Sequence, residues 1–167
     1  MAELATPAAH RKRTYSGPGA LLSDLTFILR NAKALRRAQQ NGLVSPAFRE
    51  RLMLAVTAVN GCRYCSWFHA KEALKSGVGQ DELTQLLAGT VDGCPEDEAV
   101  ALLYAQHWAD ANAVPDAEAV LRLQQEYGVE RADAIHIVLR MIRMGNLTGN
   151  TWDSFLHLIS FGRQGSV

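Results

Sequence analysis

Residues 45–69 read SPAFRERLMLAVTAVNGCRYCSWFH, and the fold turns on how this stretch is read. Ser45-Pro46 is an N-cap residue followed by proline at the first helical position, where the missing N–H was unpaired in any case. An apolar helical run continues to about Val59, and Asn60-Gly61 breaks its period. A further helix opens at about Cys62, runs to Ser76 and stops at Gly77. Two helices on either side of so short a break form an antiparallel hairpin.

In the second arm, Cys62, Cys65 and His69 are spaced by three and four residues, so both sulfurs and the imidazole share one helix face. Helical side chains lean toward the N-terminus, which projects His69 back over the turn carrying Cys65, placed to take or share its proton. Cys62, in the first turn, lies among unpaired N–H groups at the positive end of the helix dipole. These favour a thiolate, and Cys62 is expected to be the more exposed thiol. Glu50 is the only acidic residue of the first arm. It lies ~15 Å before the turn and His69 ~14 Å after it, so the two are level. The resulting chain Glu50, His69, Cys65, Cys62 follows the logic of a triad, in which a carboxylate orients an imidazole that activates a nucleophile. A thiol with pKa ~8.5 needs that help at neutral pH.

The same residues admit other readings. Glu50, Cys62, Cys65 and His69 are acceptable zinc ligands, although structural zinc draws paired ligands from two separated segments and no second C-x-x-C exists. The cysteines can also be small buried hydrophobes of an ordinary helix. Covalent haem attachment needs a histidine directly after the second cysteine and is disfavoured.

Working outward, the chain has 167 residues, 48% hydrophobic and 20% charged, which suits one globular domain with a real core. Lys plus Arg and Asp plus Glu both number 17, so no net field favours nucleic acid or an anionic membrane. Three cysteines do not make a disulfide-stapled secreted fold, and no run of about 18 apolar residues is present. These features point to a cytoplasmic protein without nucleic-acid or membrane partners. Residues 1–18 are small, polar and Gly/Pro-containing and read as a flexible tail, with His10-Arg11-Lys12-Arg13 solvated; residues 19–167 form the domain. A helix capped by Ser23 or Asp24 carries Leu25, Ile28, Leu29, Ala32 and Leu35 on one face and stops at Asn41-Gly42. A short helix follows Gln80-Asp81-Glu82. Others are expected at about 95–111, 115–127, 130–143 and 149–161, the first opening with Glu96, Asp97 and Glu98 against the helix dipole. No stretch alternates with period two, so the fold class is all-α, a single compact domain of seven to eight helices with the redox motif at the start of a central helix.

The spacing E-x(11)-C-x-x-C-x-x-x-H, from Glu50 through Cys62 and Cys65 to His69, resembles the signature of the alkylhydroperoxidase D-like branch of the carboxymuconolactone decarboxylase family. The resemblance extends over AVNGCRYCSWFHAKEALKSGVGQDELTQLLAG. It implies that Cys65 attacks the O–O bond of a hydroperoxide, assisted by His69 and Glu50, and becomes a sulfenic acid. Cys62 would then condense with it to a disulfide, reduced by a dithiol donor such as a lipoyl-bearing or thioredoxin-like protein. It also implies a homo-oligomer, trimer or hexamer, and calls for no cofactor and no metal. Antioxidant members can carry a histidine immediately before the second cysteine, where this chain has Tyr64. A phenol with pKa ~10 is a poorer base, so the departure bears on peroxidase efficiency more than on fold or redox activity. Two other functions stand beside this one: a lyase or isomerase acting on a cyclic acid, and a redox-responsive protein without turnover.

Elsewhere, Cys94 has no histidine near it in sequence and reads as incidental. His107, His136 and His157 read as core or subunit-contact histidines, and Trp67 and Phe68 as packing or interface residues that could wall off the thiols. Asn146, Thr148 and Asn150 surround Gly145 and Gly149 and read as caps and a turn.

Overall fold

The computed structural model describes residues 12–40, 42–161 and 163. Ser45 caps α2 (Pro46–Asn60) as its sequence requires: its backbone is extended, its Oγ accepts the Phe48 N–H at 3.1 Å, and Pro46 opens the helix. At the other end Gly61 adopts φ 67°, and its N–H closes on the Thr57 carbonyl at 2.9 Å. Glycine enters this left-handed conformation without a Cβ penalty. The chain then turns directly into α3 (Arg63–Lys75), with Cys62 as N-cap.

The remaining helices are α1 (Pro18–Gln40), α4 (Gln80–Leu87), α5 (Glu96–Asp110) and α6 (Ala117–Ile159), with no strand among the described residues. α3, α4, α5 and α6 all pack on α2, while α1 lies along α6. Phe48, Leu52 and Val56 of α2 meet Leu102, Ala105 and Trp108 of α5 and Leu123, Ile135, Leu139 and Ile142 of α6. A smaller cluster joins Leu54, Ala73, Val78, Leu83 and Leu86 on the other side of α2. Full burial of each large aliphatic or aromatic side chain stabilises by roughly 1.5–3 kcal/mol, against tenths for an exposed ion pair, so this α2-centred packing dominates. Buried Arg51 adds a polar tie, bonding Glu82 of α4 and, at 3.1 Å, Glu98 of α5. No described helix is long and apolar enough to cross a membrane.

The all-α expectation holds, with six helices among the described residues where seven to eight were expected. The difference lies in α6: its backbone leaves the helical region at Gly128 (φ 74°, ψ 159°), where the expected boundary between 115–127 and 130–143 falls, but nothing breaks it at 145–149, so the last two expected helices are one. A mid-helix glycine costs only about 1 kcal/mol relative to alanine. Continuing the helix buries Leu147 and brings Asn146, Asn150 and Asp153 to hydrogen-bond and ion-pair partners in the interior, which offsets that cost.

The N-terminal part differs too. α1 begins at Pro18, so Ser23 and Asp24 lie inside the helix rather than capping it. Asp24 is buried and paired with Arg143 at 2.5 Å and Arg140 at 3.5 Å. Leu25 and Leu29 of the expected apolar face are exposed, Leu29 at 68%. Asn41, the Leu35 side chain and residues 1–11 of the expected tail lie outside the described residues. Lys12 and Arg13 are not simply solvated: Lys12 pairs with the buried Asp153, and Arg13 bonds the Asp110 carboxylate at 2.7 Å.

Candidate active site

Cys62 occupies the junction between α2 and α3, where its Sγ accepts the Cys65 N–H at 3.4 Å. Cys65 lies one turn on, the two sulfurs are 2.6 Å apart, and both thiols are free. The exposure order is opposite to the expected one: Cys62 is 0% exposed and Cys65 is half-buried. α6 is the reason. A Cβ on Gly149 would stand 3.2 Å from the Cys62 sulfur, so this helix covers the start of α3.

The electrostatics follow from that placement. The hydrogen bond from Cys65 draws the Cys62 thiol down to about 6 against the opposing effect of burial, helped by the Cys65 and Tyr64 backbone and the Asn146 carboxamide. Cys65, as the donor to Cys62 and itself partly buried, is pushed up. Near neutral pH the pair therefore holds one proton between two sulfurs and behaves as a unit.

Glu50 and His69 form the second pair, Glu50 Oε2 lying 2.8 Å from His69 Nδ1. Burial pushes the Glu50 carboxyl up, but His69 and Arg49, whose Nε donates to Oε1 at 3.0 Å, hold it below its ordinary value. With Nδ1–H directed at a carboxylate, the other ring nitrogen is left to exchange protons. The level placement expected from the hairpin is thus realised as a direct bond. Among the described residues, no hydrogen bond joins His69 to either sulfur, although positions four apart on a helix have Cβ atoms ~5–6 Å apart. Tyr64 is half-exposed, and its hydroxyl accepts from Arg63 at 3.1 Å rather than meeting a sulfur. The four zinc-type ligands form two pairs instead of one set: among the described residues no three His, Cys, Asp or Glu groups converge as metal ligands.

Beneath the thiols lies a polar stripe that the sequence reading missed. Asn146, Asn150 and Asp153 are all buried on one face of α6. Asn146 Nδ2 donates to Thr57 Oγ1 at 3.0 Å and its Oδ1 accepts from Asn60 Nδ2 at 3.1 Å. Asn150 Nδ2 donates to the carbonyls of Asn60 and Arg13, each at 2.8 Å, while Arg13 N–H reaches the Asn60 carbonyl at 3.1 Å. Asp153 pairs with Arg63 at 3.3 Å and with Lys12. The α2–α3 turn that presents Cys62 is held from α6 and from the N-terminal segment together. The spacing N-x-x-x-N-x-x-D is helical and was the signal available.

The other singled-out residues lie elsewhere. Tyr104 hydroxyl meets His136 Nε2 at 2.6 Å, and His107 pairs with Asp116 at 2.8 Å. His157 Nδ1 is buried without a hydrogen-bond partner. Cys94 is partly buried beside the Arg51 cluster, where burial and Glu82 push its thiol up to about 12. Trp67 and Phe68 do not pack into the subunit core; both are exposed, Trp67 with Lys71 Nζ 3.8 Å over its ring and Phe68 with its ring edge-on to His69.

The model of the Carboxymuconolactone decarboxylase family matches residues 26–106, which include Glu50, Cys62, Cys65 and His69 and stop short of α6. No curated protein and no solved structure is significantly similar to the chain.

Proposed function

Since residues 26–106 match the model of the carboxymuconolactone decarboxylase family, we propose that the chain is a thiol-dependent peroxidase, a disulfide oxidoreductase that reduces hydroperoxides through Cys62 and Cys65. The observation that carries the reading is the sulfur pair itself: two free cysteines with sulfurs 2.6 Å apart, one buried with its thiol drawn down by the other, the second reachable.

Access decides the roles. Cys65 is the half-exposed sulfur, so it attacks the hydroperoxide as its proton moves onto Cys62. The O–O bond breaks, Cys65 becomes a sulfenic acid, and that proton goes to the departing alkoxide, releasing an alcohol. Cys62, again a thiolate, displaces hydroxide from the Cys65 sulfenic sulfur to form the disulfide. The hydroxide leaves as water with a proton relayed from solvent through His69, whose imidazole Glu50 orients. A dithiol donor, lipoyl-bearing or thioredoxin-like, then reduces the disulfide by two exchanges and is left oxidised. Such a cycle suits a reducing, cytoplasmic setting.

The exposed leucines of α1 (Leu21, Leu22, Leu25 and Leu29) support self-association into a trimer or hexamer, testable by sedimentation. Hydroperoxide consumption with a lipoyl dithiol as reductant tests the chemistry. Cys65→Ser is expected to abolish it, and Cys62→Ser to stop after a single turnover. Unchanged turnover in Cys65→Ser would remove the proposal, and full activity of the doubly substituted protein on a cyclic lactone would replace it with lyase chemistry.

A further inference from the structure

A buried thiolate must find donors where water cannot supply them. From α3, Cys62 receives the N–H of Cys65 and the hydrogen bond of its thiol. What faces it from across the interface is α6, and two residues there are shaped for the task. Gly149 leaves the space that the sulfur fills, since a Cβ would approach it to 3.2 Å. Asn146, one turn earlier and 0% exposed, offers a carboxamide.

The orientation of that carboxamide is set from α2. Asn60 Nδ2 donates to Asn146 Oδ1 at 3.1 Å, which turns the oxygen toward α2 and fixes which end is the amide nitrogen. A carboxamide nitrogen has two N–H donors. One is used on Thr57 Oγ1 at 3.0 Å. The other has no acceptor among the described hydrogen bonds, and Asn146 lies three residues before Gly149, on the side of α6 that meets the Cys62 sulfur; the carboxamide also contributes to the ionisation of both Cys62 and Cys65.

We propose that Asn146 is a positioning residue of the thiol pair: its second amide N–H holds the Cys62 sulfur as the anion, and Gly149 admits that sulfur to its place. The inference rests on the redox reading of the pair, and it adds a contribution from α6, beyond the segment that the family model matches. Holding the charge on Cys62 keeps the proton on the reachable Cys65 until an oxidant arrives. The charged and titratable groups around Cys62 are Cys65, Arg63 and His69 on α3, Glu50 on α2, and Asp153 on α6, which Lys12 and Arg63 both pair.

The test is the ultraviolet thiolate absorbance of the full chain, kept reduced, as a function of pH. Asn146→Asp keeps the shape and the acceptor for Asn60, and the Thr57 hydroxyl can rotate to donate to the new oxygen, so the α2–α6 contact survives while the donor to sulfur is lost. Its first thiol midpoint is expected to rise by at least one unit, leaving about tenfold less thiolate on the acid side of the midpoint. Asn146→Ala removes the donor without adding charge and is expected to shift in the same direction. A midpoint unmoved in either folded variant overturns the proposal. Unsubstituted protein supplies a second measurement: the Asn146 side-chain amide resonances should titrate with the thiol midpoint and stop doing so in Cys62→Ser. Amide resonances that ignore the thiol titration overturn the proposal without any variant at position 146. Because neither readout uses peroxide, a chain inert to hydroperoxides whose midpoint still moves in Asn146→Asp refutes the peroxidase reading and keeps this one. Peroxide turnover with an unmoved midpoint does the reverse.

Discussion

Gly145 and Gly149 lie one turn apart in α6, yet alanine is expected to act oppositely at the two. Each substitution gains helix propensity of about 1 kcal/mol. At Gly145 the new Cβ meets nothing within 4 Å, so the whole gain is kept. At Gly149 it lies 3.2 Å from the Cys62 sulfur, inside the roughly 3.5–4.0 Å optimum of non-bonded contacts. That sulfur cannot retreat easily, because Cys62 is the N-cap of α3 and its turn is bonded to Asn150 and Arg13 through Asn60. Overpacking of a filled interior costs roughly 1–3 kcal/mol, which cancels or exceeds the propensity gain. In a chain this size a kilocalorie moves Tm by about 2–4 °C. Gly145→Ala should therefore melt ~2–4 °C above the parent, and Gly149→Ala at or below it, when both are scanned under a dithiol reductant that keeps the cysteines free. Equal stabilisation by the two alanines would refute the reasoning, since the Cys62 sulfur would then not be seated against α6.

Glu50→Gln leaves His69 without its carboxylate and should slow peroxide consumption by roughly 10²-fold, as should His69→Ala; an unchanged rate in both would leave the pair outside the chemistry. The same carboxylate gives a stability signature. Its folded pKa lies below the ordinary value, so its contribution is present above the unfolded pKa of ~4.3 and is lost as pH falls through the folded one. Urea midpoints of parent and Glu50→Gln should accordingly differ near neutrality and converge in acid. Peroxide consumption should fall as pH drops through about 6, where Cys62 takes up its proton, and a flat profile there would count against a thiolate reagent. Arg51→Met strands the half-buried carboxylate of Glu82 and the buried one of Glu98, and urea unfolding should register a loss of about 3–5 kcal/mol.

The parts of the fold that sequence made legible are those decided within a few residues of themselves. Ser45-Pro46 and Gly61 specify how α2 begins and ends, because caps are made by the residues that bear them. The pairing of Glu50 with His69 was readable for a related reason: two arms joined by so short a turn have only one way to be level. α1 shows where this stops. The period of Leu25 and Leu29 says correctly that they share a side of a helix, but not whether anything covers that side. Burial is a property of the partner.

The same limit explains the reversal at the thiols. From α3 alone, Cys62 is a first-turn residue at a helix start, a position that water usually reaches. Its burial is imposed by Gly149, far along the chain, whose missing side chain lets α6 approach the sulfur. In the sequence Asn146 and Asn150 read as turn residues, because asparagine beside glycine commonly bonds its own backbone. In α6 they instead bond Thr57, Asn60 and Arg13, distant in sequence but adjacent in space. A buried asparagine and a turn asparagine are the same letter, and the difference lies in who receives the hydrogen bonds. The thiol pair is encoded locally by C-x-x-C and its ionisation is governed first by the bond between the two sulfurs, but the burial and the carboxamide that α6 adds are announced by no local spacing around the cysteines. Substitutions in α6 should therefore change the chemistry of thiols they are remote from in sequence.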